Sequence, residues 1–248
     1  MKLVRYKNGV ILDVLMNVIG NTDDYKDDDI GDINEEIRIK AAEALFNISC
    51  SSIVETTDRL ANHPNLLETC ALVLKSYVSR DVKIYCAAIL RRMSEIIHYP
   101  KNSQVELLSA LVKASSVWTR TACIAEGLLS QASVIENRQV MVEHHGLLNA
   151  LSKLACVGGE GESDRVRRAA ISTIEHLSRE TGKVRQLLSQ HEGIMLAMTH
   201  ASYGQRRSAS SSSSVQYDYS SRSIDDDASQ TSTNRNLQLA WKRLVEMI

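Results

Sequence analysis

The hydrophobic residues of this chain recur every three or four positions over most of its length. In the segment "IRIKAAEALFNIS", residues 37–49, one side of a helix would carry Ile37, Ala41, Leu45 and Ile48. This spacing is the period of an α-helix that is buried along one side. Because the sequence shows no sustained alternation of apolar and polar residues, the pattern predicts an all-α fold.

The pattern of residues 37–49 returns four times further along the chain. The copies are "VKIYCAAILRRMS" (82–94), "WTRTACIAEGLLS" (118–130), "VRRAAISTIEHLS" (166–178) and "LQLAWKRLVEMI" (237–248). A turn-forming pair and a shorter Leu-rich segment precede each long helix, and in several places a third short helix, such as "NRQVMVEHH", leads into them. Units that repeat at roughly 40 residues predict an α-solenoid of about five repeats.

Two kinds of segment resemble the armadillo repeat family. The text "EIRIKAAEALFNIS" (36–49) is similar to that family's third helix, and "VMVEHHGLLNALSKL" and "LLSQHEGIMLAMTH" are similar to its first-to-second-helix junction, with Gly146 and Gly193 at the turn. Between Met93 and Val105 there is no room for a separate first helix, so that unit looks closer to a two-helix HEAT repeat. The resemblance covers nearly the whole chain outside the loops, and it implies one right-handed superhelical domain over residues 1–248.

The resemblance also implies a function, which is binding a partner protein or extended peptide on the concave side lined by the third helices. The residues expected to face the partner are Lys40, Glu43 and Asn47 on the first third helix, Tyr85 and Arg92 on the second, Ser172 and His176 on the fourth, and Arg243 on the fifth. The solvated face of any amphipathic helix carries side chains of these types, so ligand contact and plain solvation both stay open.

Two alternative functions share this fold. Nuclear import adaptors of the importin-alpha type place Trp and Asn four residues apart on successive third helices, whereas here Asn47 follows Glu43 and His176 follows Ser172. An RNA-binding helical repeat would need a stacking aromatic or Arg in each unit. Tyr85 and Arg92 could serve in this way, but the equivalent positions do not continue the series.

Composition narrows the class of partner. With 29 basic and 30 acidic residues, the net charge of −1 gives no overall attraction to nucleic acid or anionic lipid. No segment reaches the roughly 18 uncharged apolar residues of a membrane span. Five cysteines without a CxxC pair predict reduced thiols that pack as small apolar groups, in an intracellular protein of the cytoplasm or nucleus with no metal and no cofactor.

No constellation of residues predicts catalysis, and no catalytic residue is assigned. The segment "HEGIM" lacks the second histidine of a zinc-protease motif, because Met195 occupies its place. The glycine-rich "GGEGES" (158–163) follows a helix and has no phosphate-binding lysine. We therefore expect the protein not to be an enzyme.

Two polar segments interrupt the repeats. Residues 21–35 predict a solvated acidic loop that caps a helix beginning near Ile37, or alternatively attracts basic partners. Residues 203–234 predict a disordered Ser-rich insertion within the last repeat. Arg207 lies three residues before Ser210, and three aspartates follow Ser223 closely, so both serines resemble kinase sites. A tolerated low-complexity insertion is the alternative.

The ends of the predicted array are unusual for a solenoid. The array begins on a second helix and ends inside a third helix, without the polar capping helices that a solenoid needs. We therefore expect either that the chain belongs to a longer array or that its ends contact another chain.

Overall fold

A computed structural model of the chain describes residues 10–20, 28–76, 78–96, 101–116, 122–180 and 182–200. All regular secondary structure within these ranges is helical, which confirms the predicted all-α class. None of these helices is both long and apolar enough to cross a lipid bilayer. The predicted Ser-rich insertion at 203–234 lies outside the described residues, as does the first part of the predicted acidic loop, residues 21–27.

The described residues form twelve helices. Their bounds are α1 Val10–Gly20, α2 Asp28–Ser49, α3 Val54–Ala61, α4 Leu66–Lys75, α5 Arg80–Ile96, α6 Lys101–Ser115, α7 Ala122–Ser133, α8 Asn137–Glu143, α9 Leu147–Ala155, α10 Glu162–Ser178, α11 Lys183–Gln190 and α12, residues 192–200. The short predicted leading helices are present as α3, α8 and α11.

The chain divides into two compact units, residues 1–131 and residues 132–248. In the first unit, α1, α4 and α6 contact one another in succession, and α2, α5 and α7 form a second succession beside them. In the second unit, α10 packs mainly on α9 and also contacts α8 and α11. Each long helix therefore lies against the shorter helices of its own unit.

The predicted apolar stripes form the core in α5 and α10. All eight stripe positions of these two helices are fully buried, namely Val82, Cys86, Leu90, Met93, Val166, Ala170, Ile174 and Leu177. In α2 the prediction fails at Ile37, which is 51% exposed, although Ala41 and Leu45 are buried. Four residues turn a helix by 400°, which is 40° more than a full turn. Ile37 lies eight residues before Leu45, so it points about 80° away from the buried side.

The helix α2 begins earlier than predicted. It starts at Asp28 and not near Ile37, so residues 28–35 of the predicted acidic loop are helical. Carboxylates near a helix N-terminus are favoured by the helix dipole, and Glu35 also pairs with Arg38 at 3.0 Å. The acidic run therefore extends this helix.

Serines that occupy the last aligned position of three repeats are fully buried. Ser49, Ser94 and Ser178 each donate their hydroxyl to the carbonyl three residues earlier, at 2.6, 2.5 and 2.8 Å. A small side chain that satisfies itself within its own helix lets another segment approach the helix end closely. The residue alignment of the repeats thus corresponds to one shared local structure.

The two predicted turn glycines differ in role. Gly146 has a φ of 87°, a left-handed conformation that glycine adopts without strain, and it lies at the start of α9. Gly193, predicted at a turn, instead lies inside the first turn of α12. A Cβ atom there would meet the Ser152 hydroxyl at 3.0 Å, so glycine permits a close approach to α9.

None of the five cysteines, all of which lie in the described residues, forms a disulfide bond, but they do not share one environment. Cys70 and Cys86 are buried, and hydrogen bonding between these thiols together with burial raises the pKa of Cys86. Cys50 and Cys156 are exposed, because they follow the last residues of α2 and α9. The prediction that all five pack as apolar groups is therefore wrong for these two.

Two leucines of α4 provide a matched test of the core. Leu74 is 0% exposed and Leu72 is 58% exposed. We expect Leu74→Ala to lower the free energy of unfolding by about 2–5 kcal/mol through cavity formation, and Leu72→Ala to change it by less than about 0.5 kcal/mol. Urea denaturation followed by circular dichroism measures both. Equal effects would show that the assigned inner side of α4 is wrong.

Two glutamines test the hydrogen bonds at helix ends. Gln131 donates to the Ser94 carbonyl at 2.7 Å in a buried position, whereas Gln139 pairs with Glu143 in solvent at 3.4 Å. Gln131→Met removes the shorter of two side-chain hydrogen bonds to the Ser94 carbonyl and leaves the one from Ser130 at 3.3 Å, so it should cost about 0.5–1.5 kcal/mol of unfolding free energy. The control Gln139→Met should cost no more than about 0.5 kcal/mol. A neutral Gln131→Met would contradict this role.

Candidate functional site

The third helices of the first two repeats, α2 and α5, lie side by side in the first unit. The rings of Phe46 and Tyr85 have centroids 5.9 Å apart at an angle of 42°. At the far end of the pair, Arg92 Nε donates to the Ser49 carbonyl at 3.4 Å. Together, the predicted residues Lys40, Glu43, Asn47, Tyr85 and Arg92 are named here the α2/α5 face.

Three members of the α2/α5 face, Lys40, Glu43 and Tyr85, lie close enough to interact electrostatically. Lys40 Nζ is 3.0 Å from Glu43 Oε2 in a solvent-exposed ion pair. This Glu43 partner raises the pKa of Lys40, and the negative form of Tyr85 adds a smaller effect in the same direction. Asn47 is exposed on the same side of α2. These residues offer an ammonium, a carboxylate, an amide and a half-buried ring to a ligand.

Arg92, by contrast, is used within the protein. It is half-buried, and besides the Ser49 carbonyl it binds Glu95 at 2.7 Å. Its neighbour Arg91 binds Glu126 of α7 at 3.0 Å. Arg92 therefore connects α5 to the end of α2, and its guanidinium is less available to a ligand than Lys40.

In the second unit, the predicted residues Ser172 and His176 are half-buried on α10. Arginines lie on the same side of this helix, because positions 165, 168, 172, 176 and 179 are separated by three or four residues. Together, Arg165, Arg168, Ser172, His176 and Arg179 are named here the α10 stripe. Of this set, the partner-binding face predicted from the sequence included only the two central members, although the arginine spacing in "RVRRAAISTIEHLSR" indicates the other three.

The electrostatic surroundings of His176 are basic. Burial lowers its pKa first, and the positive charges of Arg179 and Arg138 lower it further, against the smaller opposing effect of Glu175. Its Nδ1 atom is buried and has no hydrogen-bond partner among the residues that the structure describes. His176 is therefore held in its neutral form near pH 7.

Arg138 is the buried cation beside this region. It donates through Nε to the Ala132 carbonyl at 2.8 Å and through Nη1 to Glu180 at 2.7 Å. A buried arginine with these partners is fully engaged in joining α8 to the end of α10. It contributes positive potential and no free ligand-binding group.

The histidine of the "HEGIM" segment is occupied on both ring nitrogens. His191 Nδ1 accepts from the Ile194 backbone N–H at 3.2 Å, so the neutral ring carries its proton on Nε2, which lies 3.2 Å from Asn149 Oδ1. This ring caps the start of α12 and cannot act as a free base. No group of three or more His, Cys, Asp or Glu side chains suited to a metal ion occurs in the described part of the chain.

Three predicted site residues lie outside the described residues. They are Arg243 on the last predicted third helix and the two candidate phosphorylation sites, Ser210 and Ser223. Their assignments stay predictions.

The depressed pKa of His176 predicts a pH dependence of stability. The unfolded chain binds a proton at the ordinary histidine pKa near 6.5 while the folded protein still resists it, so stability falls as the pH drops through and below that value. His144, whose pKa burial also lowers, acts in the same direction. We expect His176→Gln to weaken the loss of thermal stability between neutral and mildly acidic pH, with the intact protein as reference. An unchanged pH profile would contradict the assignment.

Two comparisons with known proteins were negative. No protein-family model matches the chain, and no curated protein matches it significantly. What the protein does is therefore inferred from the helices described above.

Proposed function

We propose that this protein is a non-enzymatic interaction scaffold, an armadillo-like α-solenoid that binds an extended segment of a partner protein on the solvent sides of its third helices. The observation that carries the proposal is the placement of α2 and α5. These helices are equivalent in the repeat alignment, lie side by side, and expose Lys40 and Asn47 of α2 beside the half-buried Tyr85 of α5.

The spacing of distant polar contacts supports the solenoid. Side-chain hydrogen bonds between separate segments join Asp13 to His63, Glu35 to Ser79, Ser49 to Arg92, Ser94 to Gln131, Arg138 to Glu180, Glu143 to Lys183 and Asn149 to His191. The separations in sequence are 50, 44, 43, 37, 42, 40 and 42 residues. Contacts at about one repeat length are what stacked units with nearest-neighbour interfaces produce.

The chemistry of the α2/α5 face supports a peptide ligand. An extended peptide presents backbone N–H and C=O groups at regular intervals and leaves them unpaired until it binds. Asn47 can both donate to and accept from such groups, Lys40 can donate, and the half-buried ring of Tyr85 supplies apolar contact area. This mixture of donors, acceptors and one aromatic ring suits an extended chain.

The engagement of the histidines supports a role without catalysis. His191 uses both ring nitrogens, and His63 holds Asp13 at 3.0 Å in a contact between the α3–α4 turn and α1. Such bonds fix helices in place, so these two rings act within the fold. The free thiols, two of them buried, fit a reducing intracellular compartment, the cytoplasm or nucleus.

Selection of binding peptides tests this function. A displayed library of random peptides would be selected on the intact chain, and the winners measured against a variant with Lys40→Ala, Asn47→Ala and Tyr85→Ala. Because hydrogen bonds and aromatic contact are removed together, we expect affinity to fall by roughly tenfold or more.

The matched control removes three exposed side chains from the other row of helices in the same unit, with Glu68→Ala, Lys75→Ala and Lys113→Ala. This variant should bind like the intact chain, and circular dichroism should show both variants equally folded. Peptides that bind both variants alike, or a selection that enriches no peptide, would overturn the proposal.

A further inference from the structure

We propose that the α10 stripe binds an acidic peptide segment, whose Asp or Glu side chains contact Arg165, Arg168 and Arg179. The inference rests on the proposed function, because it names the ligand chemistry of one third helix in the second unit. The sequence as a whole gives no hint of it, since the net charge of the chain is −1.

Each arginine of the stripe forms an ion pair with a carboxylate. In each pair the arginine side chain is the more exposed of the two partners. Arg179 binds Glu175 at 2.6 Å, and its side chain is 42% exposed while that of Glu175 is 6% exposed. Arg168 binds Asp164 at 2.9 Å, with exposures of 42% and 30%. The carboxylates therefore lie underneath or beside the guanidinium groups, which are the charges that a ligand meets first.

The N-terminal part of the stripe is a series of ion pairs. Asp164 is shared between Arg168 and Arg167, which contact its two oxygens, and Arg165 pairs with Glu162 at 3.1 Å. An arginine has five donors in a planar fork, so one ion pair leaves Arg168 and Arg179 able to donate to a second carboxylate.

The centre of the stripe is polar and uncharged. Ser172 is half-buried, and His176 stays neutral because burial and the nearby positive charges of Arg179 and Arg138 lower its pKa. These positive neighbours also indicate, independently of the exposures, that the potential at this part of α10 is positive. A hydroxyl and a neutral imidazole can bond a peptide backbone between the charged positions.

The length of the stripe fits a short segment. From Arg165 to Arg179 the helix rises about 21 Å at 1.5 Å per residue. An extended peptide covers that distance in roughly six or seven residues. A segment with several carboxylates spaced along it can therefore reach both ends of the stripe.

A peptide fits the stripe better than a nucleic acid. Glu162, Asp164 and Glu175 lie among the arginines and would repel a continuous row of phosphates. The helix Glu162–Ser178 contains no Phe, Tyr or Trp on which bases could stack. Carboxylates separated by neutral residues can avoid the acidic positions and meet only the arginines.

Fluorescence anisotropy with a labelled peptide of about twelve alternating Glu and Ser residues tests the proposal. The whole chain is used at low ionic strength, where exposed charge pairs are least screened. The intact protein should bind this probe and should bind the matched Gln–Ser peptide at least roughly tenfold more weakly. Changing Arg165, Arg168 and Arg179 together to Gln should weaken Glu–Ser binding by roughly tenfold or more.

Two further variants separate local charge from general effects. A control removes three positive charges elsewhere, with Arg59→Gln, Lys153→Gln and Lys183→Gln, and should change the affinity less than about twofold. Changing the three stripe arginines to Lys keeps their charge and should retain most of the binding, which shows that a loss in the Gln variant does not come from unfolding. Equal losses in the stripe and control variants would overturn the inference.

The remaining outcomes distinguish this inference from the proposed function. Single-stranded oligouridine that binds more tightly than the Glu–Ser peptide, with the same arginine dependence, would overturn the inference in favour of a nucleic-acid ligand. A second outcome is that library peptides bind the α2/α5 face while neither their affinity nor that of the Glu–Ser probe changes when the three stripe arginines are replaced by Gln. In that case the inference fails and the scaffold function stands. If the library yields nothing while the Glu–Ser probe needs the stripe, the α2/α5 proposal fails and the stripe stands.

Discussion

Backbone carbonyl groups at the ends of the long helices need hydrogen-bond donors, and side chains from other segments of the same unit supply them. Ser49 O accepts from Arg92, Ser94 O from Gln131, Ala132 O from Arg138 and Glu180 O from Arg185. A helix end leaves four such carbonyls without partners in its own helix, and a buried one left unpaired costs about 1–3 kcal/mol. These bonds therefore fix where each following helix can lie, and the buried serines at the ends of α2 and α5 provide the space.

The same constraint decides which polar residues are available for binding. Arg92 and Arg138 are engaged at helix ends, so they hold the fold together and are poor ligand contacts. Lys40 and Asn47 are exposed, and the side chains of Arg168 and Arg179 are each 42% exposed and bond carboxylates of their own helix. An arginine that bonds a backbone carbonyl at a helix end thus has less of its guanidinium accessible to a ligand.

The two candidate faces differ in electrostatic character. On the α2/α5 face, Lys40 is matched by Glu43, and both are accessible to solvent. On the α10 stripe the carboxylates paired with Arg168 and Arg179 are the less exposed partners, so the guanidinium groups are the more accessible charges there. The two faces would therefore take ligands of different chemistry, an acidic segment on α10 and a mixed or neutral segment on α2/α5.

The all-α class, the positions of most helices and the buried stripes of α5 and α10 follow from the sequence alone, because helical periodicity is a local property that burial reinforces. The sequence also indicates Lys40, Asn47 and Tyr85 as outward residues. The exposure of Ile37, the start of α2 at Asp28 and the burial of Glu175 beside Arg179 emerge only from the folded structure. The same holds for the bond from Arg92 to the Ser49 carbonyl. That bond joins positions 43 residues apart, and such a contact leaves no mark on the local sequence pattern of either residue.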